Sequence, residues 1–453
     1  METSLEEITR VRALFPFSLI ALAFCFFNLS PLHAQEAQVD SVSRPRRDSM
    51  SMIHDKPLYL MTSDDCGAME VWDIGMGMPM PYPMARMPMS MMMVHGNGFL
   101  TLIAEEGLLK GRSEIAAPNM FMADLGTTSG GGHYFNLDVM LTAELWTIPK
   151  NGYPELYQIG ENQADGTPFI DAQHPHSSPL MGLTLSDTIA LADGDKSHLK
   201  LFIAPRGEST DGPIAFMHRA TGMFNPDAPL GHHIGQDVGH VSSSVIGESL
   251  KLGGFHLEAS LFHGLEPNPT QVDLPLGSPD SCGFRLIQEF SPDFTLMASY
   301  AFVNNPEPGI PNAERYSASL YSRASFGDEW AFRNTLIYGL VTHIDNASLL
   351  SSVLEEFLIG DSKTHFFGRV EVLQRTPNQL GITGLPDPDK GRWMTAISLG
   401  YSHQLASWDG WELNCGAMAT NDQSPPEFAD AYAGNPLTYK FFFQLGGMGM
   451  SNL

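Results

Sequence analysis

Long apolar runs, cysteines and basic side chains are all scarce in these 453 residues, and each shortage excludes something. One apolar run stands out, Ala13–Phe27, containing FPFSLIALAFCFF behind Arg10 and Arg12. It ends near SPLHA, so it reads as a secretory signal peptide over residues 1–34, cleaved after Ala34. No later run approaches the roughly 20 apolar residues of a transmembrane helix. Cleavage removes Cys25 and leaves Cys66, Cys282 and Cys415, an odd number with no spacing that suggests a zinc site. Lys and Arg together number 25 against 51 Asp and Glu, for a formal charge of −26. Such a balance argues against nucleic acid, whose phosphates require basic patches. An acidic surface accumulates cations instead. GxSxG, phosphate-binding P-loop, HExxH and dinucleotide fingerprints are all missing. Long amphipathic helices are too, which disfavours doubly wound and TIM-type folds.

What fills the chain is alternation. In YFNLDVMLTAELWT, Phe135, Leu137, Val139, Leu141, Ala143 and Leu145 fall on one face of a predicted strand, and Asn136, Asp138, Thr142 and Glu144 on the other. KLGGFHLEASLFHG sets Phe255, Leu257, Ala259 and Leu261 against His256, Glu258 and Ser260. FTLMASYAFV, WAFRNTLIYGL, FFGRVEVLQ and LTYKFFFQL read the same way, separated by turns such as VNNPEPGIPN and LPDPDKG. LLSSVLEEFL fits a helix almost as well as a strand. So many two-faced strands must hide their edges, and a closed barrel does so. The predicted fold is therefore all-β: a single antiparallel transmembrane-type barrel of about 14–16 strands over residues 96–453, apolar outside and polar within. A disordered leader and Met/Pro-rich segment, 35–95, precedes it. Trp146, Tyr300, Trp330, Tyr338, Trp393, Tyr401 and Trp411 sit near segment ends, as interface girdles do. Arg285, Arg315, Arg323 and Arg369 are expected to face the lumen, with Glu289, Glu314 and Glu371 as partners. A soluble β-sandwich or propeller would alternate similarly, although no repeat of propeller period is present.

Two groups of residues could carry chemistry. The first is GMGMPMPYPMARMPMSMMMVHGNG, with nine methionines from Met76 to Met93. Thioethers suit Cu(I), and the alternating Met76, Met78, Met80 and Met87, Met89, Met91 would project several sulfurs to one side, with His95 close by. The bland alternative is a linker or an adaptable apolar contact. The second group is histidine: His174 and His176 in DAQHPHSS, then His218, His232, His233 and His240. Neutral imidazole binds copper, zinc and nickel, and Asp171, Asp227 and Asp237 could complete a site or orient the rings. The bland alternative reads them as packed loop residues. A hydrolytic alternative pairs His176 with Ser177, or His240 with Ser242 to Ser244.

The stretches MVHGNGFLTLIAEEG, APNMFMADLG, LYQIGENQADGTPFIDAQHPHSSPLMGL, FMHRATGMFNPDAPLGHHIGQDVGHVS, SLFHGLEPNP and GNPLTYKFFF resemble a poorly characterised family of bacterial outer-membrane-type β-barrel proteins. The resemblance spans roughly His95 to Phe443. Members often accompany copper-efflux systems, which implies a Gram-negative outer-membrane location, lipid as a neighbour, and metal ions or periplasmic efflux components as partners. From residues and resemblance together, the expected function is non-catalytic: porin-like passage of a small solute or handling of a copper-class metal, with a copper ion as the cofactor. An outer-membrane lipid hydrolase and a purely structural barrel are the alternatives.

Overall fold

The computed structural model describes residues 90–452 except 107–111, 130, 164, 192–196, 237, 292, 308–311, 327–329, 345–346 and 433. The signal segment, the leader and Met76, Met78, Met80, Met87 and Met89 lie outside the described residues.

The chain is almost entirely strand. It opens with β1 (Ser90–Glu106), β2 (Ser113–Ala116), β3 (Asn119–Thr128) and β4 (His133–Leu141). The paired strands β5 (Tyr153–Asn162) and β6 (Pro168–Gln173) follow as a separate two-stranded sheet. The wall resumes with β7 (Leu180–Ala190) and β8 (Ser197–Gly207), then β9 (Ser242–Leu252), β10 (Phe255–His263) and β11 (Ser281–Ser291). It continues through β12 (Phe294–Val303), β13 (Ala313–Phe326), β14 (Trp330–Ile344), β15 (Ala347–Gly360) and β16 (Thr364–Arg375). Last come β17 (Arg392–Trp408), β18 (Trp411–Gln423) and β19 (Leu437–Asn452). Every wall neighbour is antiparallel, and β1 pairs with β19 from Met91 opposite Asn452 to Glu106 opposite Leu437, so the sheet closes on itself. Along its other edge β1 pairs with β3 through Ser90–Gly98 and with β2 through Thr101–Ala104. Pro118, which has no N–H for the ladder, separates those two pieces, and together they form one stave. The result is the expected closed antiparallel barrel, with 16 staves. LLSSVLEEFL lies within strand β15.

Side chains alternate across this wall as the sequence pattern requires. On β10, His256, Glu258, Ser260 and Phe262 turn inward and are buried, while Phe255, Leu257 and Leu261 are exposed on the outer surface. Leu257 sits opposite Leu286 of β11, and Leu100, Leu102, Phe121, Ile203, Phe284, Leu399, Phe441 and Phe443 continue an apolar exterior. A surface this apolar matches a lipid environment rather than water. Trp393 begins β17, while Trp408 and Trp411 pair across the turn at its far end, so aromatics mark both rims. Cys282 and Cys415 are free thiols.

Two readings of the sequence need correcting. The boundary expected between residues 95 and 96 falls inside β1, whose Ser90–His95 belong to the wall. The strand expected over Tyr134–Thr147 stops at Leu141. There the Thr142 hydroxyl accepts the Glu144 N–H at 3.2 Å and donates to the Asn119 carbonyl at 2.8 Å, diverting the chain into a short helical turn, Glu144–Thr147.

The lumen is occupied by β5–β6 and by the segment 208–241 that joins β8 to β9. Leu156, Tyr157 and Ile159 of β5 pack with Leu230 and Ile234 of that segment against inward-facing Val341, Leu350, Leu373 and Met394. Ile234–Gly235 passes so close to the wall that a Cβ on Gly339 would lie 1.9 Å from the Ile234 carbonyl oxygen, a position only glycine tolerates. Ser352 Oγ donates to that same carbonyl at 2.8 Å.

Wall cations hold this plug by its backbone. Arg285 Nε donates to the Gly212 carbonyl at 2.9 Å, Arg369 Nη1 to that of Ala228 at 2.9 Å, and Arg375 Nε to that of Tyr157 at 2.8 Å. Lys440 reaches Asp227 and the Pro154 carbonyl. Carboxylates complete the pairing. Glu356 accepts from Arg219 of the plug at 3.1 Å and from Arg369 of the wall at 2.9 Å, and all three side chains are almost wholly buried. Arg285 pairs with Glu258 and Glu208, and Arg315 with Asp211 and Glu266, both at 2.7 Å. The expected partners Glu289 and Glu314 are thus replaced. Glu314 is adjacent to Arg315 in sequence and therefore points to the opposite face, where it accepts from Tyr300 and Tyr316. Glu289 serves Lys251 and His256. Glu371 does lie near Arg369, at 3.9 Å. Arg323 pairs at its strand end with Asp293 at 2.6 Å.

Replacing Glu356 with leucine leaves two buried guanidiniums without their shared carboxylate, a loss of about 3–5 kcal/mol. Planar-bilayer conductance should rise above that of the native barrel as the plug loosens, and proteolysis between residues 208 and 241 should accelerate. Unchanged conductance and cleavage would mean that this ion-pair group does not retain the plug.

Candidate functional site: a five-histidine cluster in the lumen

Strand β6 ends at Gln173 and delivers DAQHPHSS into the lumen as a loop, with Pro175 between two imidazoles. The plug segment supplies the others: a turn over His232–Gln236 and a second over Val238–His240. Five of the six predicted histidines meet here. Ring centroids lie 5.7 Å apart for His174 and His176, 5.8 Å for His174 and His233, and 4.6 Å for His232 and His233. His240 is 4.9 Å from His232 and 5.1 Å from His176. One ring nitrogen from each of His174, His232 and His233 can be chosen so that all three lie within 4.8 Å of one another. Gly160 of β5 makes room for this, since a Cβ there would come 2.7 Å from His174 Cδ2.

A buried carboxylate orients part of the cluster. Glu144 Oε2 accepts both the His176 backbone N–H, at 2.9 Å, and the ring Nδ1–H, at 3.0 Å. On the other side of the ring, His176 Nε2 lies 2.9 Å from His240 Nε2. Burial alone would raise the Glu144 carboxyl, but the His176 bonds outweigh it and hold the group below its ordinary range. The imidazoles move the other way. Burial, and then the neighbouring His176, lowers His174 from 6.5 to about 4. Burial and the surrounding rings depress His232 and His233 well below 6.5. These histidines are therefore neutral at pH 7, the state in which imidazole offers a lone pair to a metal. A cavity of about 40 Å³ lies against all five rings together with Arg206 and Glu266. The Arg206 charge is answered by Asp273 at 3.2 Å. A second cavity, about 60 Å³, runs from His174, His176, His232 and His240 to Asn97 and Met120 of the wall.

The remaining predicted residues lie elsewhere. His218 sits on a short turn of the plug and faces His95 of β1, with ring centroids 6.4 Å apart. Asp171 accepts from the Tyr157 N–H and the Tyr432 hydroxyl, and Asp227 from the Tyr153 hydroxyl, so both serve the scaffold instead of orienting imidazoles. Asp237 is outside the described residues. Glu144, the carboxylate that does orient an imidazole, was assigned to a strand. A threonine whose hydroxyl can bond the N–H two residues on, as Thr142 does, is the local turn signal that could have found it.

Two of the serines proposed for hydrolysis, Ser177 and Ser242, are otherwise engaged. Ser177 Oγ donates to the Pro269 carbonyl, and Ser242 Oγ donates to Ser209 Oγ at 2.9 Å. Activation by a histidine requires the hydroxyl proton to point at an imidazole nitrogen, and these protons point away.

No family model matches the chain, and no curated protein matches it. Among solved structures the chain is similar to Pseudomonas putida OprB (10% identity, 80% of this chain and 94% of that one, TM-score 0.49). It is also similar to Salmonella typhi OmpF in complex with daunomycin (10%, 78% and 97%, TM-score 0.47) and to an anion-selective porin from Comamonas acidovorans (11%, 79% and 98%, TM-score 0.46).

The depressed imidazoles make the plug acid-sensitive. Between pH 6.5 and about 4 the unfolded chain binds protons that folded His174 does not, so the stability it contributes is complete above 6.5 and lost as pH falls. The slope is about 1.4 kcal/mol per pH unit for each such histidine. Hydrogen exchange of the 208–241 backbone should therefore quicken from pH 6.5 toward pH 4.5, and exchange that stays flat after correction for intrinsic rates would contradict this.

Proposed function

We propose that this chain is an outer-membrane β-barrel that captures a first-row divalent cation inside its lumen, at the five-histidine cluster. The observation that carries the reading is the convergence of His174, His176, His232, His233 and His240, from two separate lumen inserts, into one group of imidazoles, of which burial holds His174, His232 and His233 neutral. An all-nitrogen donor set of this kind suits Cu(II), Ni(II) and Zn(II), and the order of divalent affinities favours copper(II). His174, His232 and His233 would bind the ion directly. Glu144 would act through His176, orienting the ring that packs against His174 and His240 beside the three ligands.

The location follows from the apolar exterior and the wet, charged interior, with lipid as the barrel's surroundings. Small-solute passage is then governed by the plug. Glu266 and the imidazoles line the same lumen cavity, where a cation would meet them together.

Calorimetric titration of the full chain in detergent tests this. Cu(II) and Zn(II) should bind at one equivalent, and replacing His174, His232 and His233 with alanine should abolish that equivalent. Glu144→Gln should weaken it roughly 10–100-fold. Equal affinity for all three proteins would remove the metal reading and leave the buried imidazoles as plug packing.

A further inference from the structure

His95 and His218 stand apart from the five-histidine cluster, and their surroundings differ in kind. His95 lies on β1 with its ring inward and 3% exposed. Its direct partner on β3 is Met122, and its direct partner on β19 is Met448. Directly opposed residues of antiparallel strands project to the same face with Cβ atoms roughly 4.5–5.5 Å apart, so one buried imidazole is flanked by two buried thioethers. The plug brings His218 over this row. Asn97 Nδ2 and Gln444 Nε2 both donate to the Met223 carbonyl, at 2.9 and 2.7 Å, and clamp the plug to the wall just beyond His218. Burial lowers His218 to about 4, so it is neutral at pH 7.

Hydrophobic packing alone does not account for this arrangement. His95 Nε2 is buried and has no hydrogen-bond partner among the described residues. Sealing a polar nitrogen away from water without a partner is unfavourable, and aliphatic residues would fill the same space without that cost. Thioether sulfur together with neutral imidazole is a soft donor set suited to a monovalent d10 cation and poorly suited to hard divalent ones.

We infer that His95, His218, Met122 and Met448 form a second metal site, selective for Cu(I) and its redox-inert analogue Ag(I). The site stands independently of the five-histidine cluster. The second cavity, which touches the cluster at one end, reaches Asn97 and Met120 at the other, two residues along the strands from His95 and Met122.

The full chain in detergent is titrated anaerobically with Cu(I) against a chromophoric chelator, and separately with Ag(I) while the methionine methyl resonances are followed by NMR. Met122→Leu/Met448→Leu keeps side-chain volume and removes both sulfurs; His95→Gln removes the imidazole and leaves the sulfurs. The expected result is at least a tenfold loss of one Cu(I) equivalent in either variant, with Zn(II) binding unchanged. In the wild type, two methyl signals that are missing from the double variant should shift on adding Ag(I). The N-terminal methionines are present in every protein, so their contribution cancels. Native Cu(I) affinity in both variants, or wild-type Met122 and Met448 methyl signals that ignore Ag(I), overturns the proposal. Where the double variant does not fold, the single variants Met122→Leu and Met448→Leu assign the two methyl signals and the wild-type response to Ag(I) decides the matter. Zn(II) binding separates failure here from failure at the five-histidine cluster.

Discussion

A guanidinium on the inner face of a closed barrel has no lipid to escape into and must find its counter-charge inside. Arg285, Arg315, Arg369, Arg375 and Lys440 all face inward and are buried. Their donors are answered by plug carbonyls and by carboxylates on wall and plug alike. The wall therefore needs the plug as much as the plug needs the wall. This mutual pairing also places the histidines. Ala228 is held by Arg369, the Leu230 carbonyl by Arg375, and the Leu230 N–H by Glu371 at 2.7 Å. Those bonds fix the backbone immediately before His232 and His233, while Ser352 fixes the carbonyl immediately after them. The cluster is positioned by ion pairs that take no part in it.

The chemistry follows from the same enclosure. A loop histidine in water would be partly protonated near neutral pH and would repel its neighbours. Buried among other imidazoles, His174, His232 and His233 are held neutral, and Glu144 orients His176. Burial that disfavours the charged ring leaves a lone pair available, so the conditions that make the plug acid-sensitive are the ones that suit it to a cation. Elsewhere on the inner wall, His95 lies between Met122 and Met448 of the neighbouring strands.

Much of the barrel was legible because strand periodicity needs nothing beyond local sequence. Phe255, Leu257 and Leu261 face out and Glu258 faces in because of spacing alone. What periodicity cannot carry is the pairing of distant segments. Arg315 meets Asp211 and Glu266, neither predictable from neighbours in sequence, while adjacent Glu314 is excluded because it points the other way. The histidine set was legible as composition, and DAQHPHSS and LGHHIG stood out, yet their meeting depends on two inserts folding back into one lumen. Glu144 was misplaced because alternation continued past Leu141, where Thr142 diverts the chain. His95 was grouped with Met91 by proximity along the chain, whereas its partners Met122 and Met448 come from strands on either side.

The central claim is that the lumen histidines act as one metal site. Electron paramagnetic resonance of the full chain loaded with a single equivalent of Cu(II) tests it most directly, because nitrogen superhyperfine structure counts coordinated imidazoles. The account predicts coupling to at least three imidazole nitrogens, lost when His174, His232 and His233 are replaced. A spectrum dominated by oxygen ligands, or nitrogen coupling that survives those replacements, would contradict it.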